Sequence, residues 1–109
     1  MDRIIVSRHI GALEWLAEEL DCTLRVEDGK PISLDKDDVS IPIFSSVKAK
    51  DVVGKCVIGN LPLHLASLAR EVMAIEFAND VPRGIEYSSE QMKEAGARLV
   101  PYIVLKQNK

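Results

Sequence analysis

Hydrophobic positions along the chain switch between two rhythms. Ile4 to Val6 is a short continuous apolar run, as in a buried strand. After Ser7-Arg8-His9 the period lengthens, and from Gly11 onward Leu13, Leu16 and Leu20 recur at helical spacing with Ala12 and Ala17 on or near the same face. Strand, tight turn and helix make a first unit. Cys22, Leu24 and Val26 then alternate with Thr23, Arg25 and Glu27, the period of a half-buried strand near a sheet edge. From Asp28 to Asp51 the chain turns to Gly, Pro, Ser, Lys and Asp, and only "VSIPIF" reads as a brief extended piece. This predicts a long irregular segment of the kind that is usually functional or mobile.

A second strand-turn-helix unit follows. Val52 to Ile58 reads as strand, Asn60 as a helix N-cap and Pro62 as a residue near the first helical position, with Leu61, Leu65, Leu68 and Val72 as the apolar stripe. "MAIEF" predicts another strand, "ANDVPRGIEY" a polar connection, and "SSEQMKEAGA" a helix whose Ser88 and Gln91 have capping-box spacing. "RLVPYIVL" closes the chain as a strand, and Pro101 places it at an edge because proline cannot donate to the ladder. Strands alternating with helices predict an α/β fold, a mainly parallel sheet flanked by helices with right-handed crossovers.

In such sheets ligands bind beyond the carboxyl ends of the strands, where helix N-termini present free N–H groups to an anion. Three turns follow strands and precede helices: Ser7-Arg8-His9, Gly59-Asn60-Leu61 and the 80–84 loop with Arg83 and Gly84. Parallel strands would put all three on one rim. Arg8 can clamp a phosphate through two parallel hydrogen bonds, Ser7 and Asn60 can add neutral ones, and Arg83 supplies a second cation. Gly11 and Gly59 keep the turns free of Cβ bulk so that a ligand can approach the backbone. His9 has the side chain suited to proton transfer near neutrality. The plainer alternative has Arg8 paired with a carboxylate, Ser7 and Asn60 capping helices, and the glycines serving turn geometry; for Asn60 capping is the favoured reading. His64 reads as a partly buried structural histidine, and Trp15 as either a shoulder of the core or an exposed aromatic for a base or partner.

The 109 residues suffice for one domain, expected over residues 1–109, with an ordinary globular share of 47% apolar and 28% charged residues. No apolar run approaches a membrane span and no secretory pattern precedes the first strand, so a soluble cytoplasmic protein with no membrane partner is expected. A formal charge of -3 argues against a protein that coats duplex nucleic acid, while a local cationic cluster can still hold a small anion. Cys22 and Cys56 lack metal or redox spacing and read as small core residues, so neither metal nor cofactor is expected. "SRHIGA" is like the start of the histidine phosphatases, but Ile10 stands where they have glycine and the chain is too short for that fold. Gly59-Asn60-Leu61-Pro62 is neither a Walker nor a dinucleotide loop.

Three motifs together, "VSRHIGALEWL", "GNLPLHLA" and "RGIEYSSEQMKEAGARLVPY", resemble the CRISPR-associated Csx-sixteen family, small accessory proteins of type III loci. Order and spacing match over nearly the whole chain, least specifically between 27 and 50. The resemblance implies a Rossmann-like domain related to the CARF sensors, working as a homodimer. It implies ring nuclease activity, the metal-independent cleavage of cyclic tetra-adenylate to linear di-adenylate with a 2′,3′-cyclic phosphate, which would switch off type III signalling. Arg8, His9 and Ser7 are then the catalytic candidates, and Gly11, Gly59, Asn60, Arg83 and Gly84 the substrate-binding ones. Ile85 and Tyr87 depart from the family's Arg-Gly-Lys-Glu-Leu pattern, which raises Lys55 as a substitute for the missing lysine and leaves Glu86 either to orient Arg83 or to act as a base. Two other functions fit the same sequence: a sponge that binds the ring at the same cationic rim without cutting it, and a protein-interaction module that docks on an effector and uses "VSRHIGA" only as a turn.

Overall fold

The computed structural model describes residues 2–79 and 86–107. The elements run in the order β1 (Arg3–Val6), α1 (Ile10–Glu19), β2 (Thr23–Glu27), β3 (Lys30–Lys36), β4 (Val39–Phe44), α2 (Ala49–Val52), β5 (Cys56–Ile58), α3 (Leu63–Ala66), β6 (Glu71–Phe77), α4 (Ser89–Glu94) and β7 (Ala97–Tyr102). Among the described residues seven strands form one sheet in the order β2-β3-β4-β1-β5-β6-β7. β1 runs parallel to β4 and β5, and β5 parallel to β6, but β2-β3, β3-β4 and β6-β7 are antiparallel and carry the longer ladders. The expected mainly parallel, Rossmann-like sheet is therefore replaced by a mixed one, largely antiparallel by aligned residues.

The difference originates between 28 and 51. Glu27 pairs with Lys30 across a two-residue turn in which Asp28 and Gly29 have φ of 51° and 74°. Asp-Gly with both residues left-handed is a hairpin turn whose twist matches the flanking strands. Lys36 pairs with Val39 across a second tight turn, with Asp37 at φ 53°. The expected irregular segment is thus mostly a meander, buried where Ser33, Leu34 and Ile41 meet the core.

Alternate residues of β1 and β5 serve opposite faces of the sheet, as the two-residue period of a strand requires. Ile5 and Ile58 join Leu13, Trp15 and Leu16 of α1, Leu34, Ile41 and Met92 of α4. Ile4 and Val57 pack with Val52 beneath the short helices on the other face. Trp15, only 2% exposed, is a core residue. Val52 ends α2 instead of starting a strand, and Val72 lies in β6, because only Leu63–Ala66 of the second expected helix is helical. Ser88 and Gln91 form the expected capping box, and Pro101 sits on the edge strand β7. No helix among the described residues is long and apolar enough to cross a membrane.

Candidate functional site

Because β1, β5 and β6 are parallel neighbours, the chain leaves all three at the same edge of the sheet. A cleft of about 420 Å³ opens there. Val6, Ser7, Arg8, His9 and Ala12 enter it from the β1-α1 turn, Ser45 from the end of β4, Gly59 and Asn60 from the end of β5, and Ile75 and Phe77 from β6; Glu86, Tyr87 and Met92 close the far side. Its size lies in the range of small-ligand sites, about 300–1,000 Å³.

Ser7 N–H donates to the Phe44 carbonyl (3.0 Å), continuing the β1-β4 ladder by one residue, and the Ser7 hydroxyl accepts from His9 N–H (3.2 Å). The hydroxyl hydrogen is left for a ligand. Arg8 projects exposed at the mouth and has no carboxylate within ion-pair distance among the described residues. His9 is the N-cap of α1 by its backbone, with no capping bond from its side chain. Its ring instead reaches Glu86, Nδ1 to Oε1 at 2.6 Å, with both side chains about two-thirds exposed at 64% and 66%. A carboxylate only accepts, so Nδ1 is the donor and Nε2 is the ring nitrogen left for a reacting group.

Asn60 does not cap a helix. Pro62 is the N-cap of α3, and the Asn60 side-chain oxygen accepts from Ile75 N–H (3.0 Å), extending the β5-β6 ladder with a side chain where the backbone has turned away. That bond fixes the amide plane and leaves its NH₂ as a donor. Gly59 has φ 137°, and a Cβ there would stand 2.3 Å from the Val6 carbonyl oxygen, so this glycine is required by the approach of β5 to β1. Gly11 lies outside the cleft: a Cβ on it would stand 1.7 Å from the Tyr87 carbonyl oxygen. Its bareness serves the seating of the 87–88 backbone on α1, not the approach of a ligand.

α4 is tied to α1 by Lys93 Nζ to Glu18 Oε2 (2.5 Å) and by the Ser89 hydroxyl donating to the same carboxylate (3.2 Å). The Lys93 hydrogen bond holds the Glu18 carboxyl below its ordinary value and raises the Lys93 ammonium above its own. This clamp positions the segment that carries Glu86 and Tyr87. The Tyr87 ring meets Phe77 at a centroid distance of 6.1 Å and 41°, so one wall of the cleft is aromatic.

Arg83 and Gly84 lie outside the described residues. Lys55 belongs to the opposite end of β5, bonded to Asp2 (2.9 Å), and does not replace a lysine at this rim. His64 is exposed, not partly buried. Among the described residues no three His, Cys, Asp or Glu side chains converge as a metal-binding group. Sequence reasoning did not pair Glu86 with His9, which lie 77 positions apart, nor find Phe77, whose place at the end of a strand feeding the rim was the available signal.

Fold and site define a small α/β protein with a cleft of mixed polar and apolar lining at the carboxyl ends of its parallel strands. The chain belongs to the CRISPR-associated family Cas_VVA1548, described as "Putative CRISPR-associated protein", whose family model matches residues 4–105. No curated protein and no solved structure matches it.

Proposed function

We propose that this CRISPR-associated protein is a ring nuclease of the Csx-sixteen kind, binding cyclic tetra-adenylate at the cleft and cleaving it to linear di-adenylate. The observation that carries the reading is a histidine held by a carboxylate, His9 with Glu86, beside Arg8, which has no carboxylate partner among the described residues, in one cleft. Arg8 clamps the scissile phosphate, and the Ser7 hydroxyl and Asn60 NH₂ orient it. An adenine stacks on the Tyr87–Phe77 wall. His9 takes the proton of a ribose 2′-hydroxyl or delivers one to the leaving 5′ oxygen. The 2′ oxygen attacks its neighbouring phosphorus, the P–O5′ bond breaks, and a 2′,3′-cyclic phosphate and a free 5′-hydroxyl result. Alignment of the attacking oxygen and stabilisation of the phosphorane's charge by Arg8 supply the acceleration.

A 420 Å³ cleft is small for a ring of four nucleotides. The ring has internal twofold symmetry, so two copies of the chain facing each other present one cleft to each half. The test is a time course of the purified protein with cyclic tetra-adenylate, with and without EDTA, resolved by chromatography and mass spectrometry. Linear di-adenylate ending in a cyclic phosphate, insensitive to EDTA, is the expected product. An intact ring that the protein retains makes it a sponge, and an intact ring that it does not bind ends the nucleotide reading.

A further inference from the structure

We infer that Glu86 is a positioning residue that commits His9 to the role of general base, an inference that rests on the nuclease reading above for its catalytic part. Glu86 Oε1 stands 2.6 Å from His9 Nδ1, and a carboxylate there can only accept. The neutral ring is held with its hydrogen on Nδ1 and its lone pair on Nε2. Only that tautomer accepts a proton through Nε2, so the 2′-hydroxyl gives its hydrogen to Nε2 as its oxygen bonds to phosphorus, and the departing 5′ oxygen takes its proton from water.

Two features independent of the ring show that the pairing is built into the packing. Gly11 lets the Tyr87 carbonyl lie against the first turn of α1, one residue along from Glu86 and two from His9. The Lys93–Glu18 and Ser89–Glu18 bonds hold α4 to the same helix. The 86–88 segment is thereby docked where the carboxylate meets the imidazole. Because a solvent-exposed pair contributes little to stability, it is the seating of the 87–88 backbone on Gly11 and of α4 on α1, not the ion pair itself, that holds Glu86 against His9.

The experiment compares the wild type with E86Q and E86A in two measurements. Long-range ¹H–¹⁵N spectra of the His9 ring, in protein without ligand, report which nitrogen carries hydrogen. The wild type is expected to show Nδ1–H at neutral pH. E86Q keeps the volume but offers an amide that can donate as well as accept, and it is expected to admit the Nε2–H form, as is E86A. In cleavage of cyclic tetra-adenylate, kcat falls about 10- to 100-fold in both variants with KM within about threefold, part of the roughly 10²–10⁴ that acid–base catalysis supplies. An unaltered tautomer in E86Q and E86A, or a kcat within twofold of wild type, overturns the assignment. The two readings part cleanly: a wild type that leaves the ring intact yet shows an Nδ1–H tautomer lost in E86Q sinks the nuclease and keeps Glu86 as the residue that orients His9.

Discussion

Gly11 and Tyr87 touch at a point where no side chain fits, the place of a Gly11 Cβ lying 1.7 Å from the Tyr87 carbonyl oxygen. In an exposed helix, glycine to alanine gains up to about 1 kcal/mol. Here the methyl must push the 87–88 backbone off α1, and overpacking of this kind costs about 1–3 kcal/mol. Gly11→Ala is therefore expected to lower the urea midpoint, against its helix propensity, and to separate Glu86 from His9. An equal or higher midpoint would show that the segment moves aside freely.

Arg8 is the opposite case, a side chain the fold does not need. It is exposed and has no carboxylate partner among the described residues, so Arg8→Ala is expected to change stability by no more than about 0.5 kcal/mol. If it clamps the scissile phosphate, the same change removes about 3 kcal/mol of transition-state stabilisation, near 100-fold in kcat/KM. Thermal melting and single-turnover cleavage on one preparation check both halves. Near wild-type cleavage removes Arg8 from the mechanism.

How far the sequence could be read follows from which signals are local. The β1-turn-α1 unit was legible because a period change marks it within a few residues, and the Ser88–Gln91 capping box because its spacing is fixed. The meander was not, although Asp28-Gly29 is a hairpin signal; Pro31 shortens the alternation of β3 to Ile32-Ser33-Leu34-Asp35, and Pro42 breaks the strand pattern of β4. Ser33 is buried at 2% exposure because its hydroxyl donates to Asp35 (2.7 Å), a polar residue made acceptable by a partner two positions on. At the site, residues on turns after parallel strands were found from order alone. The pairing of Glu86 with His9 was not, because it depends on α4 docking against α1, which is not a property of neighbouring residues.

Asp35 makes the meander acid-sensitive. Hydrogen bonds from Ser40 and Ser33, with Arg25 nearby, hold its carboxyl below the ordinary 3.8. A carboxyl depressed in the folded state stabilises the fold above its unfolded value, and that contribution is lost as pH falls through the folded value. The urea midpoint is thus expected to fall as pH drops below about 4, and to fall less in Asp35→Asn, which keeps an acceptor for the serines without the titrating charge. Parallel curves for the two proteins would mean that the hairpin draws nothing from this carboxylate.

Asn60 has two duties on opposite atoms, and one pair of variants separates them. Its oxygen accepts from Ile75 N–H at 3.0 Å, and its NH₂ is left as the donor beside Arg8 and Ser7 in the cleft. Asn60→Ala removes both and is expected to cost about 1 kcal/mol of stability for the lost hydrogen bond. Asn60→Asp keeps an oxygen for Ile75, so its urea midpoint stays close to wild type. It also replaces the donor with a negative charge where the proposed phosphate would sit, so on the nuclease proposal ring binding is expected to weaken by at least about tenfold, or 1.4 kcal/mol. Titration calorimetry with cyclic tetra-adenylate measures the binding. Should Asn60→Asp bind as well as wild type while Asn60→Ala is merely less stable, Asn60 ends a ladder and nothing more, and the phosphate is oriented by Ser7 and Arg8 alone.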